Sequence, residues 1–166
     1  MVELTASDQQ TCPSCGLVTP PFEGPTDPYQ ASSPGCWEAF GSLHLVGVSQ
    51  VAVDTYMAQH PGLATPAGRR SVLTHLVGLH LRLHVEESDS RIRRVLALVF
   101  PDKALDPPEI GHVPDLRVLT VGDVLRAAPE SRAPVERDWA VSVWEAWSVE
   151  HQRVVDLAQL ASRKLH

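Results

Sequence analysis

No stretch of this 166-residue chain comes near the ~20 apolar residues that a membrane span requires. The N-terminus, V-E-L-T-A-S-D-Q-Q, has neither the basic region nor the apolar core that directs export. Both absences predict a cytoplasmic protein with no membrane partner. Basic residues are scarce as well: 14 Lys and Arg stand against 20 Asp and Glu, a formal net charge of −6. Binding nucleic acid calls for a basic face, so no nucleic-acid partner is expected. The local run Arg91, Arg93 and Arg94 is offset by Glu86, Glu87 and Asp89. Phosphate-loop, dinucleotide-fingerprint, nucleophile-elbow and H-E-x-x-H patterns are all missing. Cysteine is rare and odd in number. Three thiols do not make a disulfide framework, which leaves metal or thiol chemistry in a reducing compartment.

What is present begins with those thiols. All three lie between Thr11 and Trp37, in a stretch otherwise dominated by Pro, Gly, Ser and Thr. Such a segment buries too little apolar surface to hold a shape unaided. Cys12 and Cys15 form a C-x-x-C pair that lets two sulfurs reach one ion across a tight turn, and Gly16 suits that turn. Cys36 supplies a third thiolate. Zinc prefers four ligands of this type, so the expected cofactor is one Zn2+ held by Cys12, Cys15, Cys36 and a residue delivered by folding.

The rest of the chain reads as one domain over residues 11–166, with a flexible N-terminal stretch over 1–10. Ser33-Pro34 and Thr65-Pro66 have the grammar of helix starts, and Ser88 and Thr120 are further N-caps. Helices are predicted from Pro34 to about Gly47, Ser49 to His60, Pro66 to about Glu87, Ser90 to Val99, Val121 to Ala128 and Pro134 to Arg163. The Pro-rich stretch 101–118 reads as a connection. No strand ladder is evident, so the predicted fold is all-α, a bundle of about five helices with a zinc-stapled loop at its head. The first two helices are short and closely joined, which predicts an antiparallel hairpin returning His60 to Cys36. His60 is therefore the expected fourth ligand. His44 lies eight residues along the same helix as Cys36, ~12 Å of rise, too far to share an ion.

Other polar residues sit on apolar faces. Asp54 interrupts V-A-V-D-T-Y-M, and His75 and His151 lie on or beside helical stripes. With Tyr56 they form a candidate acid/base or ligand-binding group inside the bundle, although each is more readily read as a satisfied core residue. His80 and His84 are four apart, a chelating spacing, but drift to the exposed side. Trp144 and Trp147 read as core or interface anchors. A Cys36–His60 nucleophile pair is the alternative use of the same two side chains. The deaminase pattern H-x-E followed by P-C-x-x-C is not met: His84-Val85-Glu86 follows the cysteines instead of preceding them.

Seven segments together resemble a known family. They are C-P-S-C-G-L, G-P-T-D-P-Y, S-P-G-C-W, V-D-T-Y-M-A-Q-H-P-G, S-V-L-T-H-L, L-T-V-G-D-V-L and V-W-E-A-W, in this order from Cys12 to Trp147. The set is similar to an uncharacterised bacterial family, common in actinobacteria, catalogued as a domain of unknown function. The resemblance implies that Cys12, Cys15, Cys36, Asp54, Tyr56, His60, His75, Trp144, Trp147 and His151 fall on motif positions. It implies no reaction. His80 and His84 match no motif, and the connection between the first two helices is shorter than in the family.

The expected function is that of a small helical zinc protein, its ion mainly structural. A polar pocket framed by Asp54, Tyr56, His60, His75 and His151 would receive a small molecule or a protein partner. A zinc-dependent enzyme of hydrolase or lyase type, with an open metal site, is the first alternative. A helical interaction module presenting its Trp face is the second.

Overall fold

The computed structural model of the protein describes residues 8–101, 110 and 112–166. Five helices begin where a hydroxyl precedes the helical run and accepts a hydrogen bond from a first-turn amide: Ser33, Ser49, Thr65, Ser88 and Thr120. Each cap satisfies an amide that the helix itself leaves unpaired. They open α1 (Pro34–Leu45), α2 (Gln50–Gln59), α3 (Pro66–His80), α4 (Asp89–Val99) and α5 (Val121–Arg126). At Thr120 the cap is reciprocal, because Asp123 reaches back to the Thr120 amide at 2.7 Å. Two further helices, α6 (Arg132–Ala146) and α7 (His151–Arg163), complete the chain.

The fold is thus mostly helical, with seven α-helices among the described residues where about five were expected. It also holds one element the sequence did not announce: β1 (Gln10–Thr11) and β2 (Val18–Thr19) pair antiparallel across the C-x-x-C turn. Two-residue strands are too short for alternation to register in the sequence. Of the stretch expected to be loose, residues 1–7 lie outside the described residues, whereas Gln10 belongs to β1 and its side chain accepts from the Gly35 amide at 2.8 Å. Much of the connection expected over 101–118 (102–109 and 111) likewise lies outside them.

The helix expected over 134–163 is two helices. A 3-10 turn at Ser148–Glu150 separates α6 from α7, and Trp147 at the break is 1% exposed with its indole N–H donating to the Ala58 carbonyl at 3.0 Å. Helix α6 packs on α2 and α5, while α7 packs on α3 and α4. One straight rod could not face both pairs. The helix expected to run to Glu87 ends differently as well. After His80 it widens into a π turn over Leu81–Val85, closed by Glu86 in the left-handed region at φ 54°.

Helices α2 and α3 lie together at the centre. Tyr56, Leu76, Val77, Leu79, Trp139 and Val143 are buried between the layers. Gln59, fully buried at the end of α2, satisfies both ends of its amide. Its nitrogen donates to the carbonyls of Leu116 and Leu119, and its oxygen accepts from the Trp139 indole at 2.9 Å. A buried amide of this kind fixes how three segments meet.

Candidate metal centre

The turn from Cys12 to Leu17 is built by its own backbone. The Cys12 N–H donates to the Leu17 carbonyl at 2.9 Å, and the Gly16 N–H to the Cys12 carbonyl at 3.0 Å. Gly16 has φ +76°, a conformation that a side chain would strain, so glycine is required there. The turn leaves the Leu17 amide 3.4 Å from the Cys15 sulfur, a donor aimed at a thiolate. Cys36 enters from the first turn of α1, its own amide engaged by the Ser33 cap at 3.2 Å. His60 enters from the C-cap of α2. The loop leading to α1 is tied to this point: the Ala31 N–H donates to the His60 carbonyl at 3.0 Å, and Gln30 bridges Pro61. With its amide turned to satisfy both acceptors, Gln30 also donates to the carbonyls of His60 and Met57.

These segments bring Cys12, Cys15, Cys36 and His60 together, with their ligand atoms all within 4.8 Å of one another. Cys15 Sγ lies 3.8 Å from Cys36 Sγ, and Cys36 Sγ lies 3.4 Å from His60 Nε2. All four residues are buried, none more than 3% exposed. Such a group can hold a metal ion. The His60 tautomer is set by its neighbour. Nδ1 is 2.7 Å from the Tyr56 carbonyl, which can only accept, so Nδ1 carries the proton and Nε2 keeps the lone pair that faces the sulfurs. The Tyr56 hydroxyl donates to Cys36 Sγ at 3.5 Å, and its ring stacks on His60 at 4.0 Å and on Phe40 at 4.1 Å.

Electrostatically the group is unfinished as a set of thiols. Hydrogen bonds from Cys15, then Cys36, pull Cys12 far below the usual thiol range. The same Cys12 sulfur pushes Cys15 up to about 12, and Cys12 followed by Cys15 pushes Cys36 higher still. Burial raises the Tyr56 phenol, so it stays a donor. One thiolate is tolerated and two more are suppressed. A cation among the sulfurs would remove that conflict.

The other candidates fall in two separate places. Asp54 and His75 are joined, Oδ1 to Nδ1 at 2.9 Å, on the far side of α2. Arg82, which the sequence reading passed over, donates from Nε to Asp54 Oδ2 at 3.0 Å. A hint of it was available: 75, 78 and 82 follow one helical stripe. His151 stands apart from both groups. Its ring stacks on Trp144 at 4.0 Å, and Nε2 lies 2.8 Å from the Trp144 carbonyl. His80 and His84 flank the same indole, at 5.8 and 5.2 Å. The five residues expected to frame one pocket therefore do not converge.

No helix among the described residues is long and apolar enough to cross a membrane. No curated protein and no solved structure matches this chain. A family model does match, over residues 10–148, taking in the cysteine turn, the α2–α3 centre and both tryptophans of V-W-E-A-W. The chain belongs to the family of unknown function DUF5946.

Proposed function

We propose that this is a zinc protein whose single ion is structural, bound by Cys12, Cys15, Cys36 and His60 and pinning the 11–37 loop to α1 and α2. The observation that carries the reading is the spacing of the ligand atoms. Tetrahedral zinc with Zn–S near 2.3 Å places its sulfurs about 3.8 Å apart, and with Zn–N near 2.0–2.1 Å places sulfur and nitrogen about 3.5 Å apart. Two of the six separations here are 3.8 and 3.4 Å, and all lie within 4.8 Å. Three thiolates and an imidazole are also the donors that zinc favours over magnesium or calcium. Four protein ligands fill the coordination sphere, and their burial leaves no route for a substrate, which weighs against the open-site enzyme. A module presenting its tryptophans is disfavoured too, since Trp139, Trp144 and Trp147 are buried.

Around this staple the protein carries a ligand cavity of about 340 Å³ between the loop and helices α2, α3 and α4, with His75 in its wall. Three free thiols suit the reducing cytoplasm in which we place it. Metal analysis of the purified protein tests the first part. The expected result is one zinc per chain, with chelation abolishing near-ultraviolet dichroism. Sub-stoichiometric metal together with indifference to chelator would overturn it.

A further inference from the structure

Asp54 lies mid-way along α2 and is 2% exposed. One stripe of α3 and its π turn closes over it. His75 takes Oδ1 and Arg82 takes Oδ2, at 2.9 and 3.0 Å. Gly78 lies between them, where a Cβ would sit 2.6 Å from Oδ2, so only glycine lets the carboxylate come this close. Arg82 also pairs through Nη1 with Asp89, while its buried Nη2 has no hydrogen-bond partner among the described residues. With Arg82 on Oδ2, the carboxylate accepts on both oxygens, and His75 must therefore carry its proton on Nδ1. In the neutral imidazole the Nε2 lone pair is then left over. It has no hydrogen-bond partner among the described residues, and the His75 side chain is 22% exposed at the cavity.

The most buried part of the remaining wall is polar, made by Gln30, Ser71 and Thr74, and its outer part is apolar. Met57, Leu96 and Phe100 line it, and Tyr29 meets Phe100 edge-on at 6.2 Å. No Lys or Arg is among the lining residues, and the one carboxylate there is Asp27. An anionic ligand would meet a carboxylate and no fixed cation. A hydrocarbon would strip water from the Nε2 lone pair and return nothing for it. An ammonium would have to share its single counter-charge, Asp27, whose Oδ1 already accepts from the Tyr29 amide at 2.8 Å.

We propose that this cavity binds a small apolar molecule bearing an un-ionised hydroxyl, which donates its hydrogen to His75 Nε2. The inference rests on the cavity being a ligand site, as read above, and names the chemistry of the occupant. Asp54 holds the imidazole in the accepting tautomer, and Arg82 keeps Asp54 in place. The volume suits a single ring or a short branched chain.

The test uses the full zinc-loaded chain and four matched probes: p-cresol, toluene, p-toluate and benzylamine. Binding is followed by the Met57 methyl resonance, and the His75 ring nitrogens are read by long-range proton–nitrogen correlation. The expected result is saturable p-cresol binding at least tenfold tighter than toluene, no p-toluate binding, and a shift of an unprotonated Nε2 resonance that toluene does not cause. His75→Phe should bring p-cresol and toluene to equal affinity. The nitrogen spectrum of the unaltered protein gives the answer without that variant if it fails to fold. Cresol and toluene binding within threefold of each other, an Nε2–H tautomer, or tightest binding by benzylamine or p-toluate would overturn the proposed chemistry. Failure of every probe to bind would overturn the ligand site beneath it as well.

Discussion

Cys12, Cys15, Cys36 and His60 are delivered by a turn, a helix start and a helix end, tied together by a few contacts such as Gly35 N–H to the Gln10 side chain and Ala31 N–H to the His60 carbonyl. The partners of Asp54 come from one continuous stripe, 75, 78 and 82, on a helix that would form without it. The first group could hold a metal ion. The second is already neutralised by Arg82 and has an imidazole edge to spare. Both bury polar atoms in an apolar core, but the first is an organiser of the chain and the second a guest of it.

That contrast can be broken by substitution. Cys36→Ser should have the largest effect, because in small zinc sites the metal free energy, about 10–16 kcal/mol in peptides, is folding free energy. The expected outcome is loss of stoichiometric zinc and of the Trp37 environment, seen by metal analysis and fluorescence. Asp54→Ala should cost about 3 kcal/mol, since it leaves the buried Arg82 with only the solvent-exposed Asp89 as partner. Its zinc content should nevertheless be unchanged in the folded fraction, and a denaturant melt with metal analysis checks both. If zinc is lost with Asp54, the two groups are one system and the distinction fails.

Glycine substitutions sharpen the same point on a smaller scale. Gly78→Ala should destabilise by about 1–3 kcal/mol by driving a methyl into Asp54. Gly41→Ala, in α1 with nothing within 4 Å, should stabilise by about 0.5–1 kcal/mol. Thermal melts of the pair test this, and equal shifts of either sign would refute it.

The smallest effect concerns acid. Burial, with His84 and His151 adjacent, holds the His80 pKa below its usual value. The unfolded chain therefore protonates first as pH falls. The stability tied to neutral His80 is present above about 6.5 and is lost as pH drops through that value toward the lower folded one. His80→Gln should flatten stability between about pH 7 and 5 in urea titrations.

Much of this was legible in the sequence, and the rest has identifiable reasons. Hydroxyl caps are local chemistry, so Ser33, Thr65, Ser88 and Thr120 announced their helices directly. The meeting of His60 and Cys36 was expected from an antiparallel hairpin of the first two helices, which does not form. The ends meet through stacked Phe40, Tyr56 and His60, and α1 packs mainly on α5 and not along α2. What stayed hidden was set by distant partners. Trp147 breaks the last helix because it reaches Ala58, 89 residues away. Arg82 drew no reading from the sequence because the carboxylate that buries it lies 28 residues earlier. His151 and His75 share the same residue type and a similar helical setting, yet only the three-dimensional path of α7 assigns one to Trp144 and the other to Asp54.

The positions of Cys36 and His60 along their helices have one further electrostatic result. Cys36 sits in the first turn of α1, at the positive end of its macrodipole, and His60 at the C-cap of α2, at the negative end. The first favours a thiolate, and the second favours a positive ion beside the imidazole. The backbone is thus polarised for this charge arrangement before any metal arrives, which should hasten capture of a cation and repel an anion from the same hollow.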